Sequence, residues 1–211
     1  MSVKRHIPLL LLFLLAGCNG LLDGLYDEVD PDATPEFGFV KQDSDGRGGT
    51  IYLNVQSYKH WYMLDFHHRT LDSVNIEYHM SEPNDWDLAL HHYDVKTNGG
   101  TAAESPFSSV DEVDVSRLDA LAFCADVDDS VIVDMSTMMD GYVGKAPSPV
   151  NPVLSQWLNV DTREMPPIYT LSKKIYIARF ADGSQAALLF SNFMNEASQK
   201  GFATIRYRYP L

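Results

Sequence analysis

Three thioethers crowd the segment Asp134-Met135-Ser136-Thr137-Met138-Met139-Asp140, and a fourth stands in Glu164-Met165-Pro166-Pro167. A thioether is a soft, neutral metal ligand. It is equally a flexible filler of cores, so residue type alone leaves ligation and packing open. The proline pair after Met165 would hold the backbone of its segment. Two histidine pairs, His67-His68 and His91-His92, suggest metal binding. Neighbours on a strand point to opposite faces, however, so neither pair can chelate one ion simply, and surface or strand-lining roles are expected. Asp43-Ser44-Asp45-Gly46 opens like a calcium loop, but its twelfth position is Asn54 in place of a bidentate glutamate.

Other chemistries lack support. Asp111-Glu112 and Asp128-Asp129 are adjacent carboxylates of the kind that loops leave solvated, which does not make a glycosidase pair. Cys124 closes the apolar run Leu121-Ala122-Phe123, where a buried, inert thiol is expected, and no CxxC spacing exists. The chain has no GxSxG elbow, no Walker loop and no dinucleotide fingerprint, so it is not expected to be an enzyme. A formal charge of −13 disfavours nucleic acid.

Strands must position these residues. Ile51, Leu53 and Val55 alternate, Trp61 to Phe66 is aromatic-rich, and Val74 to Tyr78 alternates again. Trp86 to Gly100 joins an alternating strand to a glycine turn, with Leu88, Leu90 and His92 on one face. Lys174 to Phe180, an Asp182-Gly183 turn and Gln185 to Phe190 read as a hairpin, and Gly201 to Pro210 as a final strand. The one good helical candidate is short, Asn192 to Lys200, with Gly201 as its terminator. These patterns predict an all-β chain, mainly antiparallel, with one or two short helices.

The amino terminus has the layout of a secretory signal over residues 1–17: Lys4 and Arg5, an apolar run from Ile7 to Leu15 interrupted by Pro8, then small residues. Leu15-Ala16-Gly17-Cys18 resembles a bacterial lipobox, which implies a lipidated Cys18, palmitate included, as the mature amino terminus. The apolar run is short for a transmembrane helix, so acyl chains would anchor the chain. Residues 18–49, with Asp27, Glu28, Asp30 and Asp32, read as an acidic flexible tether, and 50–211 as one domain. Acids soon after a lipidated cysteine resemble the surface-export signals of some outer-membrane lipoproteins.

Four segments in order carry a family resemblance: Tyr58-Lys-His-Trp-Tyr-Met-Leu-Asp-Phe66, Trp86-Asp-Leu-Ala-Leu-His-His-Tyr-Asp-Val-Lys-Thr-Asn-Gly-Gly100, Tyr169 to Gly183, and Gly201 to Pro210. Together they resemble the HmuY-type family of bacterial haem-binding lipoproteins. The resemblance implies an HmuY-like β fold and capture of haem (iron protoporphyrin IX) at the cell surface, outside the outer membrane. It further implies iron acquisition from host haem proteins and delivery to an outer-membrane haem receptor.

Residues 101–168, where that family carries its iron-binding loops, match poorly and contain no histidine, which excludes bis-histidine coordination there. His91 aligns with a strand histidine that is not an iron ligand of the family. Because other members appear to use methionine pairs, the resemblance transfers axial ligation to Met138 and Met165, with Met135 or Met139 as substitutes for the first and a preference for ferrous haem. Tyr142, Val143, Trp157 and Tyr169 are then candidate porphyrin walls, and Lys145, Arg163 and Lys173 candidate propionate partners. The alternatives are haem held by burial without an axial bond, another tetrapyrrole such as a corrinoid, and an adhesion or scaffold module of the same fold without haem.

Overall fold

A computed structural model describes residues 37–77, 81–163 and 166–211. The signal segment, Cys18, most of the acidic tether and Met165 lie outside the described residues. Fifteen strands follow one another among them: β1 (Gly38–Gln42), β2 (Gly48–Asn54), β3 (His60–Asp65), β4 (Thr70–Asn75), β5 (Leu88–His91), β6 (Asp94–Thr97), β7 (Thr101–Ser105), β8 (Cys124–Ala125), β9 (Val127–Asp134), β10 (Gly144–Val150), β11 (Leu158–Asp161), β12 (Ile168–Leu171), β13 (Ile175–Arg179), β14 (Gln185–Met194) and β15 (Lys200–Arg208). A seven-stranded sheet runs β1-β2-β15-β14-β13-β7-β8, a four-stranded sheet runs β4-β3-β5-β6, and β9-β10 and β11-β12 form two separate hairpins. Every pairing is antiparallel.

Strand alternation explains the layering. Tyr176 and Ala178 of β13 join Ile51, Leu53, Val55, Leu64, Phe66, Leu88, Leu90 and Ile205 in the main core between the two larger sheets. Ile175 and Ile177 face the other way and pack under Val110 and Leu118, which lie in 3-10 turns (Val110–Glu112 and Val115–Ala120). On the far side of the four-stranded sheet, Trp61, Met63, Trp86 and Ala89 meet Val131 of β9 and Val150 of β10. That contact seats the base of the β9-β10 hairpin. Strand β5 is buried at every position, which accounts for the apolar residues on both of its faces.

The structure corrects three expectations. No helix spans Asn192 to Lys200. Strand β14 continues to Met194 and β15 begins at Lys200, joined by a turn in which Asn195 Oδ1 accepts from Gln199 N at 2.8 Å and Gln199 O accepts from Asn195 N at 3.0 Å. Asn192 Oδ1 likewise accepts from the amides of Phe193 and Met194, so these side chains draw the backbone away from helix. Gly201, at φ +89, serves the turn into β15. The sheet also begins earlier than the boundary drawn at 49/50, because β1 and the start of β2 fall inside the segment read as tether. Within their connection, Asp43 is engaged by the Arg206 guanidinium at 2.8 and 2.6 Å. Cys124 is half-buried on the edge strand β8 instead of in the core.

Candidate functional site

Both methionine-bearing segments belong to connections between paired strands that stand apart from the larger sheets. In the first hairpin, Ile132 pairs with Lys145 and Ser130 with Pro147, and prolines 147 and 149 are tolerated because β10 pairs on one side only. Its tip, residues 135–143, is closed by its own backbone. Met138 N donates to Met135 O at 3.1 Å, Asp140 N to Thr137 O at 3.0 Å, and Gly141 N to Met138 O at 3.0 Å. Thr137 Oγ1 donates to Tyr142 O at 3.2 Å, and Ser136 N to Asp134 Oδ1 at 2.8 Å. A single 3-10 turn, Met138–Asp140, ends at Gly141 in the left-handed conformation, φ 84.

This closed tip turns its apolar side chains outward. Met138 is 41% exposed, Met139 87% and Tyr142 74%, while Met135 and Val143 are half-buried. Packing therefore does not account for Met138 and Met139, and soft sulfur and an aromatic ring are offered to whatever approaches. Lys145, the second residue of β10, is exposed.

The second hairpin pairs Leu158 with Leu171 and Asp161 with Ile168. Ile168, where β12 leaves the tip, is 49% exposed. Arg163 folds back on Asp161, its Nε at 2.9 Å from Oδ1 and its Nη2 at 2.5 Å from Oδ2, and this hydrogen-bonded pair holds the Asp161 carboxyl below its usual range. Met165 lies between Arg163 and Ile168 in the chain, outside the described residues, so the pairing of Met138 with Met165 is not observed.

Other expected site residues fall differently. Trp157 is wholly buried: its indole stacks on Phe190 at 4.6 Å between centroids and donates from Nε1 to Tyr93 O at 2.9 Å, so it is a core pillar and not a wall. Tyr169 is half-buried, stacked on Phe193 at 5.4 Å. Lys173 is exposed at the start of the link into β13, with φ 56. The cation that the structure brings to the second hairpin is Lys200, whose Nζ sits 4.2 Å over the Tyr169 ring and donates to Pro167 O at 3.3 Å. Nothing in sequence spacing ties Lys200 to Pro167; only the return of β15 beside β14 does.

His91 and His92 serve the scaffold. His91 and His92 are buried, with His91 Nε2 at 2.7 Å from Tyr58 O, His92 Nδ1 at 2.9 Å from Val55 O and His92 Nε2 at 3.0 Å from Tyr58 Oη. Burial pushes the His92 pKa down and those of Tyr58 and Tyr93 up, the latter to about 12. At neutral pH this cluster therefore presents a neutral imidazole and protonated phenols. His67 and His68 lie in the turn after β3, outside any strand.

The molecule is thus an antiparallel β scaffold with two separate hairpins, one of them carrying exposed thioethers. A family model described as "HmuY protein" matches residues 57–207. Among solved structures, a Bacteroides vulgatus protein described as HmuY-like and heme binding is 42% identical, with a TM-score of 0.74 over 83% of this chain and 99% of that one. A Bacteroides fragilis protein described as a lipoprotein is 39% identical, with a TM-score of 0.75 over 86% and 99%. The apo HmuY analog of Tannerella forsythia is 20% identical, with a TM-score of 0.62 over 76% and 94%, a likeness of fold. A comparison with curated protein sequences gave no match. The chain belongs to the HmuY family.

Proposed function

We propose that this protein is a lipid-anchored, non-enzymatic haem carrier that takes haem at the β9-β10 tip. The observation that carries the reading is the tip itself: Met138, Met139 and Tyr142 are held in solvent by a closed hydrogen-bonded turn, in a family with a solved member described as heme binding. Exposing large apolar side chains together is unfavourable unless a partner covers them. The donor set suits the group, since thioethers ligate haem iron and Tyr142 offers a flat apolar face.

In this reading Met138 supplies one axial sulfur and Met165 the second, with Met135 or Met139 able to replace Met138. Soft neutral ligands favour ferrous iron. Among the described residues, Lys145, Lys173 and Lys200 are cations near the two hairpins without a carboxylate ion pair, whereas Arg163 is occupied by Asp161. The lipobox-like segment supports an anchor at Cys18, and in this reading the protein stands at the outer-membrane surface, with a membrane receptor as the recipient of haem and host haem proteins as its source. Among the described residues no helix is long and apolar enough to cross a membrane.

The test is a visible-spectrum titration of the chain lacking residues 1–18 with haem under oxidising and reducing conditions. A low-spin ferrous spectrum that is lost in Met138→Ala or Met165→Ala is the expected result. Binding that survives both substitutions would point to other ligands or to burial alone, and no binding in either redox state would leave the fold as an adhesion or scaffold module. Because burial and ligation dominate, haem affinity should change little with added salt; a steep loss would contradict the reading.

A further inference from the structure

Three carboxylates converge on one imidazole in a place the haem reading does not use. Asp65 ends β3, His67 and His68 stand in the turn that follows, Asp87 precedes β5, and Asp182 lies in the turn between β13 and β14. The cluster thereby spans the ends of the four-stranded and seven-stranded sheets. One ligand atom each of Asp65, His67 and Asp87 lies within 4.8 Å of the other two. Asp65 is buried and Asp87 half-buried. Among the described residues no lysine or arginine pairs with Asp65, Asp87 or Asp182; their only ionisable partners are His67 and His68.

The two ring nitrogens of His67 face different carboxylates. Nε2 lies 2.9 Å from Asp182 Oδ2, whose other oxygen is held by Ser184 N and Oγ, so that side is a fixed acceptor for an Nε2 proton. Nδ1 faces Asp87 Oδ2 at 3.3 Å, within hydrogen-bonding distance, and Asp65 Oδ1 at 3.9 Å. A proton on Nδ1 makes the hydrogen bond to Asp87, and a metal ion that displaces that proton would meet both carboxylates. A tetrahedral ion with bonds of about 2.1 Å has ligand–ligand edges of roughly 3.4 Å. The Nδ1 to Asp87 distance matches that edge, and the Asp65 distance needs a contraction of about half an ångström. A ring nitrogen bound to metal with the other donated to a carboxylate is the usual outer-shell arrangement of metal-binding histidines.

We propose that Asp65, His67 and Asp87 form a site for a divalent transition-metal ion of the zinc type, with Asp182 orienting His67 and water completing the coordination. The mixed imidazole and carboxylate donors suit such an ion. Asp65 Oδ1 also accepts the amides of His67 and His68, Asp65 Oδ2 meets His68 Nδ1 at 2.5 Å, and Asp87 Oδ2 also accepts Phe66 N, so the carboxylates are already oriented. The bound ion would tie the β3-β4 turn, through His67 and Asp182, to the β13-β14 turn.

The test is calorimetric titration of the metal-free protein with zinc chloride at neutral pH. One zinc per chain is expected, lost in His67→Ala, retained in His60→Ala, and weakened 10–100-fold in Asp182→Asn. Because His67→Ala also removes contacts that hold the turn, the imidazole resonances of the unsubstituted protein provide a second reading, in which zinc should shift the His67 ring selectively with the pattern of Nδ1 coordination. Absence of zinc binding, binding unchanged in His67→Ala, or shifts confined to other histidines would overturn the proposal.

Discussion

Trp157→Phe separates a structural role from a ligand-binding one. The indole is fully buried, stacks on Phe190, packs on Phe193 and donates to Tyr93 O at 2.9 Å. Phenylalanine keeps an aromatic ring but removes the donor, leaving a carbonyl in a buried setting short of a partner, at a cost of about 1–3 kcal/mol. The smaller ring adds about 1 kcal/mol for the volume that collapse does not recover. The sum, roughly 2–4 kcal/mol, lowers the melting temperature by about 5–15 °C in a chain of this size. Urea denaturation of the chain lacking residues 1–18 measures it, and haem titration of the folded variant should match that of the unsubstituted protein. Tyr142→Ala should behave in the opposite way, within about 0.5 kcal/mol in stability because the ring is exposed, yet weaker in haem binding. A Trp157→Phe change below 0.5 kcal/mol, or a loss of haem affinity in the folded variant, would refute the assignment of Trp157 to the core.

Other consequences are as specific. Lys96, buried between Trp61 and Trp86 at 4.5 and 5.2 Å from the ring centroids and paired with Glu82, should cost about 2–4 kcal/mol when replaced by alanine, measured by denaturant melting. Gly201→Ala should destabilise by roughly 1–3 kcal/mol, since φ is +89 and a Cβ would stand 2.7 Å from Gln56 Cγ and 3.1 Å from Gln56 Cα; an unchanged melting curve would contradict the turn geometry. His92 is held below its ordinary pKa by burial, so as pH falls below about 6.5 the unfolded chain takes up a proton that the folded chain refuses. Stability should therefore fall, by up to about 1.4 kcal/mol per pH unit from this group, and level off beneath the folded pKa. Comparison with His92→Gln isolates that component from the other histidines, and parallel pH profiles for the two proteins would count against it.

Much of the scaffold was legible in the chain. Alternation at Ile51, Leu53 and Val55, the Asp182-Gly183 turn and the strand from Gly201 depend on neighbours in sequence; Ile51, Leu53 and the final strand lie in an antiparallel ladder, and the turn joins β13 to β14. The expected helix at Asn192 to Lys200 failed because its asparagines bond their own backbone and because β15 extends the pairing of β14, which a local window cannot register. Trp157 misled for a similar reason: an aromatic residue near a candidate loop looks the same in sequence whether it lines a cleft or fills the core. His67-His68 was set aside on strand geometry, whereas the pair occupies a turn, and Asp87 and Asp182 reach it from distant parts of the chain.

The family, the antiparallel class and the clustering of thioethers around 138 follow from local pattern, because side-chain period, turn chemistry and composition are properties of adjacent residues. Whether a given side chain ends in solvent, in the core or against a partner far along the chain depends on how strands return. Tertiary pairing alone leaves Met138 and Met139 outside, buries Trp157, brings Lys200 to Pro167 and sets His67 among three aspartates.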